Sequence, residues 1–154
     1  MQSLSSITKE DVRLRLEAGD WQEAIRTGGQ TLLDRGWIEE RYLDAMIQGV
    51  KEYGPYIVLA PGIALAHARP EDGALETGLF FTTLKQPTPF GHEDFDPVKL
   101  LIFLSAKDAD SHVQLMGELA TILCDETLID RLISAKDEEE FATLIQEAVK
   151  NAGI

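Results

Sequence analysis

The middle of this chain changes hydrophobic period, and that change limits the folds open to it. Between residues 56 and 106 stand four short apolar runs: "YIVLA" (56–60), "IALAHA" (63–68), "TGLFFTTL" (77–84) and "PVKLLIFLSA" (97–106). Pro, Gly and Asp clusters bound them. Runs of this length and composition predict strands, and their near-continuous apolarity predicts that several are covered on both faces. A sheet covered twice needs helices on both sides, and the flanking sequence supplies them.

Three segments ahead of the strands are read as helices. "TKEDVRLRLEA" (8–18) is stopped by Gly19. "DWQEAIRTGGQTLLDRG" (20–36) opens with Asp20 and carries Glu23 three residues on, the capping-box spacing. Its apolar positions Trp21, Ala24, Ile25, Leu32 and Leu33 repeat at helical spacing, and Gly28–Gly29 weaken it locally. "EERYLDAMIQGVKEYG" (39–54) aligns Tyr42, Met46 and Val50 in one stripe and closes at Gly54–Pro55. After residue 110 the helical period returns. "DSHVQLMGELATILCD" places Val113, Met116, Leu119, Ala120 and Leu123 together, "ETLIDRLISA" follows, and Asp137 with Glu140 opens a last helix. The expected fold is α/β: one domain over residues 1–154, a sandwich with a central mixed β-sheet flanked by α-helices.

A net charge of −13 excludes nucleic acid as a partner class and disfavours an anionic membrane surface. It suits partners with basic faces. No apolar stretch is long enough to span a bilayer and no signal peptide is visible, so a cytoplasmic location is expected. The single cysteine, Cys124, excludes an internal disulfide and any multi-cysteine zinc site, and its apolar neighbours predict a buried thiol. No Walker-type phosphate loop occurs.

The chemistry therefore rests on three histidines. Strand alternation puts Ile63, Leu65 and His67 on one face and Ala64 and Ala66 on the other, so His67 leaves the sheet at a strand end beside Arg69–Pro70. An imidazole held there is reachable and titrates near neutrality, which suits a nucleophile; a structural or surface histidine is the commoner outcome for such a residue taken alone. His112 falls in a first helical turn capped by Asp110 or Ser111, where free amides and the dipole favour an anion, although an exposed first-turn histidine is equally ordinary. His92, in "TPFGHEDFDP", lies in an acidic loop that matches no metal-ligand spacing.

Taken together, "VLAPGIALAHARPEDG", "FFTTL" and "HEDFDPVKLLIFLSAKDADSHVQLMGELATIL" resemble the phosphocarrier IIA domain of the mannitol–fructose class of the bacterial sugar phosphotransferase system, and within it the L-ascorbate branch most. The resemblance runs from about Trp21 to the C-terminal helix. It implies that His67 accepts a phosphoryl group from HPr, that His112 is the second pocket histidine, and that the group passes to a cysteine of a IIB component. A IIC membrane component then carries the sugar. No cofactor or metal is implied. Lys51, Arg69 and Ser111 are the residues expected to support the phosphoryl pocket. Two departures stand out: Ala66 replaces the proline usual before the active histidine, and an ungapped match puts Lys51 where the mannitol branch carries arginine. The alternative is a regulatory relative of the nitrogen-related branch, which would use the same histidine to signal. A metal hydrolase using all three histidines is more distant.

Overall fold

The computed structural model describes residues 3–154. Five strands form one mixed sheet: β1 (Val12–Leu16), β2 (Val58–Ala60), β3 (Ile63–Ala66), β4 (Gly78–Thr88) and β5 (Val98–Ser105). Their order is β1-β4-β5-β3-β2. β1 runs parallel to β4 and β3 parallel to β5, while β4–β5 and β2–β3 are antiparallel. Helices α1 (Trp21–Asp34) and α2 (Glu40–Tyr53) precede β2, and α3 (Ala109–Leu123), α4 (Glu126–Ile133) and α5 (Glu138–Ala152) follow β5.

Alternation along the strands divides the apolar residues between two cores. Ile63, Leu65, Leu100, Ile102 and Leu104 face α3, α4 and α5. Ala64, Ala66, Leu101 and Phe103 face α1 and α2. β3 and β5 are buried at nearly every position, as their unbroken apolar sequence requires. On the α1 side the helix comes unusually close. A Cβ on Gly28 would stand 2.6 Å from the Phe103 ring, and one on Gly29 would stand 2.3 Å from Leu43. The glycine pair that weakens the helix in isolation is what lets it pack.

Three expectations need correction. Residues 8–18 are not a helix: a 3-10 turn, Lys9–Asp11, leads into strand β1. Val12, Leu14 and Leu16 alternate with Arg13 and Arg15, and the burial of those five residues follows period two. The spacing Val12–Leu16 also fits one helical turn, so the short run satisfies both templates and strand pairing with β4 decides. Arg15, at φ 55°, shifts the register there and turns Leu16 into the opposite core from Val12 and Leu14. Cys124 is exposed at the C-cap of α3, not buried. The buried face of α3 is Ser111, Leu115, Leu119 and Ile122, so Val113 and Ala120 fall outside it.

Both capped helices form as their spacing predicts. Asp20 accepts the Glu23 N–H and Asp137 accepts the Glu140 N–H, each at 2.8 Å. The glutamates return to Gly19 and Lys136, one residue before each cap.

Candidate functional site

β3 and β5 are parallel and adjacent, so their C-terminal ends lie together. The chain leaves β3 through His67 and leaves β5 into α3, which brings a strand-end histidine next to a helix N-terminus. This edge is where open α/β sheets bind ligands. The His67 and His112 rings are 5.6 Å apart, centre to centre. Both line a cleft of about 760 Å³ whose other walls come from α2 and from the turn after β3.

His67 is half-buried just beyond the last residue of β3. Its Nδ1–H donates to the Leu65 carbonyl at 2.7 Å. A carbonyl can only accept, so this bond fixes the tautomer and leaves the Nε2 lone pair free. Burial, more than any other influence, pushes the His67 pKa below its ordinary value; the bond to Leu65 opposes this, and a charge on His112 adds to it. Burial lowers His112 as well. Both rings are therefore held toward the neutral form.

The N-cap of α3 is Asp108, not Asp110 or Ser111. Its carboxylate accepts the Ser111 N–H at 2.7 Å and the Ser111 hydroxyl, and these two bonds hold its pKa down. The sequence offers three polar candidates within four residues, Asp108, Asp110 and Ser111, and the cap goes to the one whose carboxylate lies three residues ahead of a buried serine. His112 then donates its own N–H to Asp108 O as the first intrahelical bond, which leaves the amides of Ala109 and Asp110 without helical acceptors.

The supporting residues expected from sequence separate on inspection. Arg69 lines the cleft, with its side chain 77% exposed and its Nε 3.7 Å from Asp72 Oδ2. Lys51 does not reach it. The α2 wall is Ala45, Gln48, Gly49, Glu52 and Tyr53, and helical rotation carries Lys51 away from that face. Ser111 is buried under its cap and is not a lining residue. His92 is remote in role: its Nδ1 accepts the N–H groups of Asp94 and Phe95, and its ring stacks on Phe95 at 4.4 Å. Among the described residues no group of three His, Cys, Asp or Glu side chains could hold a metal.

Sequence reasoning missed Tyr42 as a part of the site. It is fully buried, and its hydroxyl accepts the Ala68 N–H at 3.1 Å while donating toward the carbonyls of Leu104, at 2.9 Å, and Ala68, at 3.1 Å. Burial, chiefly, pushes its pKa up to about 12, so it stays a neutral donor. One phenol thus ties the residue after His67 to the end of β5. The only hint in the sequence is a hydroxyl-bearing residue in an otherwise aliphatic stripe.

Comparison with known proteins matches residues 5–148 to the family model of the phosphoenolpyruvate-dependent sugar phosphotransferase system, EIIA 2. The chain belongs to this family. It is 41% identical over 137 residues to the ascorbate-specific PTS system EIIA component of Escherichia coli K12, covering 88% of this chain and 89% of that protein. It is 46% identical over 128 residues to the mannitol-specific cryptic phosphotransferase enzyme IIA component of the same strain, covering 83% and 86%. The fold also matches the E. coli complex of mannitol enzyme IIA with phosphorylated enzyme IIB, with TM-score 0.81, 29% identity, and coverage of 92% of this chain and 98% of that one. As an EIIA type 2 protein, this chain is a phosphotransferase component of sugar transport. No helix among its described residues is long and apolar enough to cross a membrane.

Proposed function

We propose that this EIIA protein carries a phosphoryl group on His67 Nε2, taking it from HPr and giving it to a IIB cysteine in the cytoplasmic stage of L-ascorbate uptake. The observation that carries the reading is the His67 Nδ1–H bond to Leu65. It fixes the tautomer and directs the ring, while burial keeps the ring toward the neutral form, with Nε2 as the remaining nucleophile. In the first transfer the Nε2 lone pair forms the bond to phosphorus, and the bond from phosphorus to the HPr donor atom breaks with its electron pair staying on HPr. The second transfer repeats this with the IIB sulfur as nucleophile and His67 as leaving group. No bond to sugar forms on this chain.

Phosphoryl transfer needs mainly positioning and charge stabilisation. His112 and the free amides at the start of α3 supply donors for the phosphoryl oxygens, and Arg69 supplies mobile positive charge at the rim. Docking uses the apolar surface around the cleft. Tyr53 and Val113, both large exposed hydrophobics, line it. The assignment to ascorbate rests on the segments "GPYIVLAPGIALAHARPEDG" and "HEDFDPV" together with the ascorbate-specific relatives, since the identity figures alone divide between ascorbate and mannitol.

The test is a relay. Enzyme I, HPr and labelled phosphoenolpyruvate load the protein, which is then mixed with an ascorbate-type or a mannitol-type IIB. Faster discharge to the ascorbate-type IIB is expected. Preference for the mannitol type overturns the sugar, discharge to neither favours the regulatory alternative, and failure to load overturns the carrier.

A further inference from the structure

Tyr56 meets His67 edge to face, with ring centroids 5.8 Å apart and planes at 80°. That is the favoured geometry of an aromatic pair. Burial does not put the tyrosine there, because it is 45% exposed. Its place is set instead by what lies beneath it. A Cβ added to Gly49, in the interior of α2, would stand 2.7 Å from the Tyr56 hydroxyl oxygen and 3.3 Å from Cε1.

Gly49 has no backbone reason to be glycine, since its φ is not positive. In a helix interior glycine is disfavoured by about 1 kcal/mol against alanine. Space for the Tyr56 ring is what its missing side chain provides. His67, in turn, lies beyond the end of β3, where ladder bonds no longer hold its side chain. The bond to Leu65 fixes the tautomer only while the ring stays aligned with that carbonyl; the His112 ring stands 5.6 Å away, and Tyr56 adds the edge contact that keeps the ring in that alignment.

We propose that Tyr56, seated on Gly49, is a positioning residue that fixes the plane of the His67 imidazole and so aims Nε2 along the line of transfer. This rests on His67 being the phosphoryl acceptor. Small misalignments of a nucleophile are costly, so the contact matters for rate more than for stability.

Gly49→Ala, Tyr56→Ala and Tyr56→Phe proteins would be compared with wild type in single-turnover transfer from phosphorylated HPr over a range of HPr concentrations. Nitrogen-15 NMR of the His67 ring and thermal unfolding accompany the kinetics. Gly49→Ala should be at least as stable as wild type, because alanine favours the helix and the displaced group is the mobile tip of a side chain. Its maximal rate should nevertheless fall between about tenfold and a hundredfold, with the half-saturating HPr concentration nearly unchanged. His67 should pass from one tautomer to a mixture. Tyr56→Ala should show the same rate loss, and Tyr56→Phe, which keeps the ring edge, should behave as wild type. A Gly49→Ala protein with wild-type maximal rate and a single tautomer overturns the proposal. So does a loss confined to half-saturation, or a Phe variant as slow as the Ala variant. Wild-type protein that accepts no phosphoryl group overturns the acceptor reading instead, and the tautomer comparison, which needs no partner, then decides the positioning by itself.

Discussion

His112 shares the cleft with His67 at 5.6 Å but stands on a different element, the first turn of α3. Its Nδ1 is buried without a protein hydrogen-bond partner. If His67 carries the phosphoryl group as proposed, replacing His112 with alanine removes a preorganised donor beside it, and such donors are worth about 3 kcal/mol, or roughly a hundredfold in rate. Single-turnover transfer by His112→Ala should slow by that order in both directions, while the unfolding midpoint hardly moves. Transfer at the wild-type rate would make His112 a bystander. The lowered pKa of His67 gives a second expectation with a definite sign. The folded group binds its proton less readily than the unfolded one, whose pKa is about 6.5. The unfolded state therefore holds more protons in the window from the folded pKa up to about 6.5, and stability rises with pH across it. That contribution is complete above pH 6.5 and is lost as pH falls through the folded pKa. NMR titration of the His67 ring should give a midpoint below 6.5; a midpoint at or above it would contradict the burial-driven shift.

At the scale of elements, Tyr42 joins three of them: α2, the exit of β3 and the end of β5. Tyr42→Phe keeps the ring but leaves the Ala68 N–H and a buried carbonyl without their partner, at a cost of about 1–3 kcal/mol. Denaturant unfolding should show that loss, and an unchanged midpoint would deny the phenol its bridging role. None of this is visible in the linear sequence. The strand leading to His67 was legible because four apolar residues between turn signals admit few other readings, and alternation alone assigned Ile63 and Leu65 to one core and Ala64 and Ala66 to the other. β1 was misread because a five-residue V-R-L-R-L run fits both periods until β4 lies beside it. The cap of α3 was displaced from Asp110 or Ser111 to Asp108 because each of these residue types caps well, and only the buried position of Ser111 separates them. Lys51 stands off the cleft for a related reason: an ungapped match fixes a residue's number and not the face of α2 that it occupies. The contact of Gly49 with Tyr56 depends on how a helix meets the loop that follows it, which no local pattern records.

The whole molecule carries a net charge of −13. Charge of that size accelerates encounter with a partner bearing a basic face, and salt screens it over about 8 Å at physiological ionic strength. The rate of loading by HPr should fall as salt rises, with little change in the rate of the chemical step; indifference to salt would remove electrostatic steering and leave the acceptor untouched. The acceptor itself is the central claim. Its most direct test is to incubate wild-type and His67→Ala proteins with Enzyme I, HPr and labelled phosphoenolpyruvate, and to map the label by peptide mass spectrometry. Wild type should carry one acid-labile, base-stable phosphoryl group on the peptide containing His67, and His67→Ala, folded with the same unfolding midpoint, should carry none. Label persisting on the His67→Ala protein, on His112 or elsewhere, would contradict the account.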